Sequence, residues 1–459
     1  MLCLVLADTL VILSSSFLGV ALWSLFNPSI TMANYFHLGG TVALFLLGYL
    51  AMGLYHPAGI GPVDELRRSV TATALVSLTL TASAFFGKEV GTYSRGALLC
   101  TAALAAVAVP SVRAILRLFC ASQDWWGVPV AILGAGPSAA AIISNLKASP
   151  ELGFKPVACL DDDTGGRTEC AGIPILGSLD AAPEFSHSFA VRHAIVALSG
   201  DDRFRLAAVM ADHCSTFRHV IAIPDLAGIA SLWVTPRDFA GVLGLEVHQN
   251  LLVPFNRFIK RAMDISVSLA ALLVSLPLIT LAVIATKTSS RGPAFFFQRR
   301  TGLDSAPILV PKLRTMFIDA EPRLQSYLSS SAAALQEWNR YCKLSNDPRI
   351  IPGLGRLLRR SSLDELPQFW CVLKGEMSLV GPRPLPTYHL DKFDPEFRKL
   401  RAKVRPGLTG LWQVSTRSDG DLDVQKEFDT YYIRNWSPWL DLHILARTVV
   451  VVLTGKGAR

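Results

Sequence analysis

The segment GRLLRRSSLDELPQFWCVLKGEMSLVGPRP, residues 355–384, places two adjacent carboxylates, Asp364 and Glu365, within a strongly cationic stretch. The basic side chains of this segment are Arg356, Arg359, Arg360, Lys374 and Arg383. Cations therefore outnumber acids. The surplus leaves positive charge for a polyanionic ligand, because arginine holds phosphate oxygens through paired hydrogen bonds. A surface network of ion pairs would have the same composition, and it is the structural alternative.

The two acids also fit a magnesium site. Mg²⁺ typically binds through one or two protein carboxylates together with substrate phosphates. Asp364 and Glu365 are therefore the candidate metal ligands and the candidate catalytic residues. Adjacent side chains on an α-helix point about 100° apart. We therefore expect the two acids to have different roles.

Two further basic segments extend this pattern. Lys312-Leu313-Arg314-Thr315-Met316 follows Gln298-Arg299-Arg300-Thr301-Gly302, and Arg405-Pro406-Gly407-Leu408-Thr409-Gly410-Leu411-Trp412-Gln413 lies downstream. Glycine and proline beside Arg383 and Arg405 predict tight turns that present both guanidinium groups. The candidate substrate-binding residues are Lys312, Arg314, Thr315, Arg360, Arg383, Arg405 and Gln413.

Together these segments resemble the bacterial sugar transferase family of monotopic phosphoglycosyl transferases. The resemblance covers residues 255–459. The motifs that carry it are Lys260-Arg261-x-x-Asp264, Lys312-x-Arg314-Thr315-Met316, Ser362 to Gln368, Met377 to Pro384 and Pro406 to Gln413. The stretch Trp338 to Ile350, ending Asn346-Asp347-Pro348-Arg349, is most similar to the galactose-1-phosphate-transferring branch. The rest of the chain resembles larger members, the undecaprenyl-phosphate hexose-phosphate transferases that begin O-antigen, capsule or exopolysaccharide synthesis.

The resemblance implies a covalent two-step reaction. Asp364 would attack the β-phosphorus of a UDP-hexose, release UMP and hold the phosphosugar as an aspartyl ester; undecaprenyl phosphate would then attack that ester. Galactose-1-phosphate is the favoured group, followed by glucose-1-phosphate. Glu365 would help to hold Mg²⁺, which neutralises charge on the transferring group. In a second mechanism both carboxylates are metal ligands only, and the lipid phosphate attacks directly.

The same resemblance implies where the enzyme acts and with what. It implies a multi-pass protein of the bacterial inner membrane, in contact with membrane lipids, with its catalytic and nucleotide-fold domains on the cytoplasmic face. It also implies a homodimer. Nucleic acid is not an expected partner, because the sequence has no helix-turn-helix, zinc-finger or aromatic-basic RNA motif.

Composition agrees with a membrane protein that has a large polar part. Of 459 residues, 51% are hydrophobic and 17% charged, and the mean hydropathy of +0.38 is too high for an ordinary soluble enzyme of this size. The net charge of +8 suits anionic headgroups and phosphorylated substrates. Eight scattered cysteines without a C-x-x-C pair predict reduced thiols rather than a disulfide framework.

Apolar stretches in the first 120 residues predict a four-helix membrane anchor. The predicted spans are 2–25, 36–55, 69–87 and 96–119. Each approaches the roughly 20 residues that a spanning helix needs. The charges that set the orientation are Arg67 and Arg68 in the second linker and Arg113 and Arg117 at the end of the fourth span. Positive-inside counting then predicts a cytoplasmic N-terminus and a cytoplasmic body.

A further apolar segment, from Ala262 to Ala285, has basic residues at both ends and Pro277 inside. A spanning helix here would place the C-terminal domain outside the cytoplasm, where nucleotide-sugars are absent. Because a proline permits a sharp break, we predict a re-entrant helix-break-helix over residues 257–286 that enters and leaves on the cytoplasmic face. A proline-kinked spanning helix is the alternative. The residues expected to meet lipid headgroups are Arg257, Lys260 and Arg261.

Residues 125–250 alternate strand and helix patterns. The strand pattern Val128–Leu133 leads into Gly134-Ala135-Gly136-Pro137-Ser138-Ala139, a G-x-G-x-x-A dinucleotide motif, and a second strand ends at Asp161. This order predicts a Rossmann-like, doubly wound sheet. One hypothesis is a bound NAD or nucleotide, with Gly134 and Gly136 at the phosphates and Asp161 at a ribose. The other is a regulatory or structural domain with the same fold.

Three other patterns have competing interpretations. Asp161-Asp162-Asp163 is expected to be a solvated turn rather than a metal cluster. Tyr388-x-x-x-Lys392 matches the pair of short-chain dehydrogenases but lies far beyond the nucleotide fold. From Trp436 onward, interfacial residue types and helical spacing favour an interfacial helix over a core helix.

The sequence thus predicts an α/β protein with membrane helices in three domains. These are a four-helix transmembrane anchor (1–122), a Rossmann-like cytoplasmic domain (123–250) and an α-rich phosphoglycosyl transferase domain (251–459). A membrane-tethered NAD-dependent sugar oxidoreductase or epimerase is an alternative, but residues 125–250 contain no tyrosine. A non-catalytic scaffold for polysaccharide assembly is another. It would not need Asp364 beside Glu365 among cations.

Overall fold

The computed structural model describes residues 2–28, 40–56, 58–86, 94–123, 125–163, 165–198, 209–210, 212–214, 216–223, 234–239, 242–247, 250–341, 344, 347–415 and 422–454. The chain forms two compact units, residues 1–229 and 230–459. The domain boundaries predicted near residues 122 and 250 stay predictions.

Helices dominate the first 120 residues. They are α1 (Leu2–Ser24), α2 (Val42–Ala51), α3 (Pro62–Phe86) and α4 (Arg95–Cys120). Across the ranges that the structure describes, three helices are long and apolar enough to cross a membrane: α1, α4 and Pro254–Ser289. Where the second span was predicted, the helix is ten residues long. Four N-terminal spans therefore stay a prediction.

Buried ion pairs join these helices. Arg113 donates from Nε and Nη2 to the two carboxylate oxygens of Asp8, at 2.9 and 2.6 Å, and from Nη1 to Glu65 at 2.9 Å. Arg117 donates from Nε to the other Glu65 oxygen at 2.7 Å. Both arginines are buried and paired with acids. These arginines therefore also join the helices through buried ion pairs, and the predicted orientation stays a prediction.

A six-stranded sheet forms the rest of the first unit. Its strands are β1 (Val128–Leu133), β2 (Phe154–Leu160), β3 (Glu169–Cys170), β4 (Ile173–Gly177), β5 (His193–Val196) and β6 (His219–Ala222). The order is β3-β4-β2-β1-β5-β6; every pair is parallel except β3 with β4. Helices α5 (Pro137–Ala148) and α6 (Ala182–Ser188) follow β1 and β4. The parallel sheet with β1 at its centre confirms the predicted Rossmann-like class.

The sheet has an apolar core on each face. Consecutive residues of β1 belong to different clusters: Ala131 and Leu133 to one, and Val130 and Ile132 to the other. Neighbouring side chains in a strand point to opposite faces. The nearly continuous apolar run of β1 is therefore the pattern of a parallel strand that is covered on both sides.

The second unit contains two short hairpins, one long helix and many small helices. Its strands are β7 (Val234–Phe239), β8 (Val242–Val247), β9 (Phe295–Thr301), β10 (Pro307–Leu313), β11 (Ser378–Val380) and β12 (Gly407–Thr409). Its helices are α7 (Pro254–Ser289), α8 (Ala320–Ser330), α9 (Ala332–Tyr341), α10 (Leu354–Arg360), α11 (Phe369–Lys374), α12 (Thr387–Leu390), α13 (Pro395–Ala402), α14 (Leu411–Ser415), α15 (Leu422–Asn435) and α16 (Pro438–Thr454). The unit is α-rich, in agreement with the sequence.

Helix α7 differs from its prediction. It is one helix of 36 residues that continues through Pro277, without the expected break. A proline deletes a single helical hydrogen bond, so the turns on either side keep theirs and the helix can bend without ending. Leu273, Val274 and Leu276, near this proline, are exposed apolar residues.

The basic residues before the apolar part of α7 also differ from their prediction. Lys260 is 9% exposed and donates to Asp441 at 2.7 Å. Arg261 donates to the carbonyls of Val372 and Leu373 at 2.6 and 2.8 Å. Buried acceptors therefore take up these two cations, and the prediction that both meet lipid headgroups is wrong. Composition showed their charge but not the direction in which they point.

The last helix, α16, is part core and part surface. Trp436, two residues before the start of α16, is fully buried, and its indole N–H donates to Asp441 at 3.1 Å. The predicted interfacial position of Trp436 is therefore wrong. Leu440 and Ile444 are buried, whereas Val449 and Leu453 are exposed. Its first turns therefore belong to the core.

Candidate active site

The two acids lie on a 3₁₀ helix, Leu363–Gln368, rather than on an α-helix. Ser362, which precedes it, has a φ of +56°, a left-handed conformation that is uncommon for residues other than glycine. Such local strain concentrates at functional sites. A 3₁₀ helix has about three residues per turn, which separates adjacent side chains by about 120°. Asp364 and Glu365 therefore face different surroundings.

Glu365 is held as a carboxylate by cations. Lys312 donates from Nζ to its Oε1 at 2.6 Å, and Nη2 of Arg383 lies 3.5 Å from the same oxygen. Burial favours the neutral acid, but Arg383 and Lys312 outweigh that effect and hold the pKa of Glu365 below its usual value. The ionised form accepts charge-assisted hydrogen bonds, which are the stronger kind.

Asp364 is buried but has no such partner. Its exposed fraction is 9%, and no side chain of the described residues forms a hydrogen bond or ion pair with it. Burial and the neighbouring Glu365 carboxylate raise the pKa of Asp364 to about 6; Lys312 and Arg359 oppose the rise. Its carboxylate is therefore poorly solvated and free to react, which is the state that a nucleophile needs.

A cationic cleft lies beside these acids. It is lined by Arg300, Val310, Lys312, Glu365, Gln368, Arg383, Pro384 and Leu408. The register of the β9–β10 hairpin pairs Ile308 with Arg300 and Lys312 with Phe296. Alternate residues of a strand share a face, so Arg300, Val310 and Lys312 project from the same side of the hairpin. Their positive charge faces Glu365.

Some of the predicted substrate-binding residues serve the scaffold. Both terminal nitrogens of Arg314 donate to carbonyls at the end of α7, those of Arg291 and Ser290, at 2.8 and 2.9 Å. Thr315 accepts from Nε of Arg359 at 2.9 Å. Arg360 is exposed, while the preceding Arg359 is the arginine near Asp364. Of the residues predicted to bind substrate, Lys312 and Arg383 are the two that line the cleft.

Arg405 and Gln413 do not line the cleft. They lie near two turns, one at Gly381 and one at Gly407, whose backbones are in contact. Nε of Arg405 donates to the carbonyl of Gly375 at 2.8 Å. Gln413 is half-buried, and its Oε1 has no hydrogen-bond donor among the described residues. A Cβ added to Gly407 would lie 2.1 Å from the amide nitrogen of Gly381. The two turns therefore require glycine because their backbones touch.

Sequence reasoning did not single out three residues of this site. Arg300 and Gln368 line the cleft, and Arg359 lies near Asp364. The sequence shows two strand patterns joined by a short turn, which indicate a hairpin. It does not predict the register that places Arg300 and Lys312 on the same face. Arg359 needed the exact end of α10.

In the stretch from Trp338 to Ile350, which resembles the galactose branch, Asp347 and Arg349 pair with each other. The Asp347 carboxylate accepts from the backbone N–H, Nε and Nη2 of Arg349, the last at 2.6 Å. The Arg349 guanidinium lies over the Trp338 ring, 5.0 Å from its centroid. Asn346 lies outside the described residues. This turn packs behind Met316, which bridges to Ile350.

The glycine loop of the first unit does not fit a dinucleotide. Asp161 accepts the N–H of Ala135 at 2.7 Å, so a carboxylate occupies the amide that would face a phosphate. A Cβ on Gly134 would lie 2.4 Å from the carbonyl oxygen of Ala197, which shows that this glycine is needed for packing against the end of β5. Pro137 removes another N–H from the helix start. The residues present therefore favour the structural hypothesis for this domain.

We expect this chain not to bind NAD at this loop. At about 1 mM ligand the thermal unfolding midpoint should stay unchanged, because a ligand stabilises only what it binds. Asp161→Ala should lower the free energy of unfolding by roughly 1–3 kcal/mol, since it leaves the buried Ala135 N–H unpaired. Asp180→Ala, at an exposed carboxylate of the same unit, is the control. A ligand-induced rise in the wild type would refute the assignment.

Asp364 should make stability depend on pH. Because its pKa is raised from 3.8 to about 6 in the folded state, the folded protein binds the proton more tightly than the unfolded chain. Its contribution is therefore favourable at low pH and lost as pH rises through about 6. In EDTA at pH 7.5, the free energy of unfolding of Asp364→Asn should exceed that of wild type by at most about 3 kcal/mol. An equal gain at pH 4.5 would contradict this origin.

The site combines Asp364, a buried acid with a raised pKa, and Glu365, an ionised acid paired with Lys312 and Arg383. The cleft beside them is lined by arginine and lysine, and the same unit includes a long apolar helix. These features are typical of a membrane-associated enzyme of phosphoryl-group transfer. Residues 255–455 match the family model "Bacterial sugar transferase", and residues 51–224 match a "CoA-binding domain".

Relatives of known name match along most of the chain. An undecaprenyl-phosphate galactose phosphotransferase of Salmonella typhimurium is 33% identical, covering 86% of this chain and 82% of the relative. A UDP-galactose-lipid carrier transferase of Erwinia amylovora is 32% identical with the same coverage. A UDP-glucose:undecaprenyl-phosphate glucose-1-phosphate transferase of Escherichia coli is 31% identical over 72% of this chain and 68% of that one. The chain belongs to the bacterial sugar transferase family, and it is an enzyme.

Proposed function

We propose that this enzyme transfers a hexose-1-phosphate from a UDP-sugar to undecaprenyl phosphate, giving undecaprenyl-diphospho-sugar and UMP. The observation that carries the proposal is Asp364, a buried carboxylate with a raised pKa that forms no ion pair or hydrogen bond with another side chain in the described part of the chain. A purely structural ion-pair network would pair this acid as it pairs Glu365. The names of the relatives support the same reaction class.

The reaction has two balanced steps. An oxygen of the Asp364 carboxylate attacks the β-phosphorus of the UDP-sugar, and the phosphoanhydride bond to UMP breaks as UMP leaves. A phosphate oxygen of the lipid then attacks the same phosphorus, and the aspartate leaves as a carboxylate. Lys312, Arg300 and Arg383 surround the cleft in which the transferring phosphate would carry its negative charge.

Magnesium is part of the proposal, with Asp364 and Glu365 as its ligands. Among the residues that the structure describes, no group of three or more His, Cys, Asp or Glu side chains could hold a metal. Two carboxylates fit Mg²⁺ because this ion takes its remaining ligands from water and substrate phosphates. When bound, it would neutralise charge on the diphosphate.

We also propose that α7, although continuous, bends at Pro277 and returns to the face that it entered, and that the unit after residue 230 lies on the cytoplasmic face of the inner membrane. Asp264, before the apolar part of the helix, accepts from Ser378 and from the backbone N–H of Leu379. Ala282, near its other end, shares a buried cluster with Leu313 and Leu358. A straight span of about 30 Å would put these contacts on opposite sides of the bilayer. Among described residues after 291, no helix could return the chain.

Galactose-1-phosphate is the favoured group, with glucose-1-phosphate next. The support is that two relatives covering 86% of this chain are named for galactose, and one covering 72% is named for glucose. A first membrane step in O-antigen, capsule or exopolysaccharide synthesis is the corresponding role. Purified protein offered a panel of UDP-sugars would reveal the preference, and light scattering in nanodiscs would test the proposed homodimer.

The reaction itself is tested with protein in nanodiscs, radiolabelled UDP-galactose or UDP-glucose and undecaprenyl phosphate. We expect labelled lipid and an equal amount of UMP, both dependent on Mg²⁺. Formation of UDP in place of UMP would mean transfer of the sugar without its phosphate and would overturn the proposal. Oxidation or epimerisation of the nucleotide-sugar would identify the oxidoreductase class instead.

A further inference from the structure

The β9–β10 hairpin has an apolar face that, at one end, no described residue of its unit covers. Three phenylalanines, Phe295, Phe296 and Phe297, begin β9 directly after the membrane-length helix α7. Phe297 is 60% exposed, and Leu309 on β10 is 54% exposed. Phe295 and Phe297 lie on one face of the strand, whereas Phe296, the partner of Lys312, lies on the other. Exposed phenylalanine rings are unusual on a protein surface that meets only water.

The hairpin register separates its residues into two faces. One face includes Lys312, Val310 and Arg300, which line the active-site cleft. The other face includes Phe297 with its partner Pro311, because residues paired across strands share a face and neighbours alternate. The hairpin therefore has the site on one side and an exposed apolar surface on the other.

The apolar face is continuous with the membrane helix. Leu313, two residues from Pro311 and so on the same face, belongs to the buried cluster that includes Ala282 of α7. The exposed residues Leu281 and Ile284 lie on the same turns of α7. Phe297 is thus the diagonal cross-strand neighbour, at roughly 7–8 Å, of Leu313, a side chain packed against α7.

Positive charge surrounds this surface. Lys287 lies in the last turn of α7, and Arg291 follows the end of this helix by two residues. Arg299 is two residues after Phe297, on the same face of β9. All three are exposed. An apolar patch rimmed by cations is complementary to a bilayer surface, with acyl chains beneath and anionic headgroups at the rim. A second copy of this chain would bring the same cations against one another.

We infer that the Phe297 face of the hairpin rests in the lipid surface, so that one sheet thickness, roughly 10 Å, separates the acyl boundary from Lys312. The hairpin then holds the cleft near the depth of a lipid phosphate. This consequence for catalysis rests on the proposed function, whereas the contact with lipid does not.

The contact is tested by placing 4-fluorophenylalanine at position 297 of the full chain in nanodiscs with spin-labelled lipids. We expect the ¹⁹F resonance at 297 to broaden strongly. The control is the same residue at Tyr388, an exposed ring on the side of Arg300, which should broaden less. Equal, weak broadening at both positions would overturn the inference, as would broadening at 297 only from a spin label on a second copy.

A kinetic arm tests the consequence. Phe297→Ser should leave the donor-only release of UMP unchanged and raise KM for undecaprenyl phosphate about 5- to 20-fold, while Phe297→Trp should stay near wild type. An unchanged KM in Phe297→Ser would refute the positioning role. If wild type given both the UDP-sugar and undecaprenyl phosphate releases no UMP, the proposed function fails while the ¹⁹F result still stands.

Discussion

Asp364→Asn is expected to reduce formation of the labelled lipid by at least about 10³-fold, the scale of losing a covalent nucleophile. Asparagine keeps the size of the side chain but is a poor nucleophile and a weaker metal ligand. Among the described residues no other side chain forms a hydrogen bond or ion pair with Asp364, so the replacement chiefly removes the attraction of the carboxylate to Lys312 and Arg359. The measurement is initial rate in nanodiscs at saturating UDP-sugar and undecaprenyl phosphate.

The matched control is Asp391→Asn. Asp391 belongs to the same unit and pairs with Arg398 at 3.0 Å, but its side chain is 61% exposed. An exposed pair contributes little, so transfer should stay within about twofold of wild type. Undiminished lipid product from Asp364→Asn would eliminate the aspartate as nucleophile, and a loss in both variants would point to damaged folding.

Loss of activity alone does not separate covalent catalysis from direct attack with Asp364 as a metal ligand. An incubation with UDP-sugar but without undecaprenyl phosphate separates the two mechanisms. The covalent route releases up to one UMP per active site and leaves a sugar-phosphate on Asp364, which mass spectrometry of the peptide would detect. Direct attack releases no UMP without lipid.

The site was predictable where short motifs fix local geometry. Asp364 and Glu365 are adjacent in the sequence, which places the two acids in one site. Lys312, in a separate basic segment, is predicted to bind substrate; the structure joins it to Glu365 at 2.6 Å. The parallel sheet of the first unit was equally accessible, because its strands are apolar on both faces.

Helix phase and strand register were not predictable. Arg359 and Arg360 differ by one residue, which rotates a side chain by about 100° on a helix; the end of α10 at Arg360 and the left-handed Ser362 decide which arginine lies near Asp364. Arg314 resembles a phosphate ligand in composition, yet it closes the end of α7. Long-range contacts, not local patterns, determine such roles.

Lys260→Met is expected to lower the free energy of unfolding by about 3–5 kcal/mol, the cost of removing one partner of a buried ion pair. Lys260 donates to Asp441 at 2.7 Å and lies 3.7 Å from Asp264, and both acids are buried. The variant leaves two carboxylates without a cation. Thermal unfolding in nanodiscs at pH 7.5 measures the loss.

The matched control is Lys426→Met. Lys426 pairs with Asp394 at 2.6 Å, nearly the same distance, but both side chains are at least 40% exposed. Solvent screens that pair, so its loss should cost less than about 1 kcal/mol. Equal destabilisation in the two variants would show that burial is not what makes Lys260 important.

Adding Asp441→Asn to Lys260→Met should restore part of the lost stability, because it removes the buried charge. Tyr432 and Trp436 donate to different carboxylate oxygens of Asp441, so the single amide oxygen keeps one of these two hydrogen bonds. Lower pH should also narrow the gap, since burial raises the pKa of Asp441 and protonation removes the uncompensated charge. A headgroup contact would behave differently: its loss would depend on anionic lipid and on salt. If the deficit disappears in neutral lipid, Lys260 contacts the membrane after all.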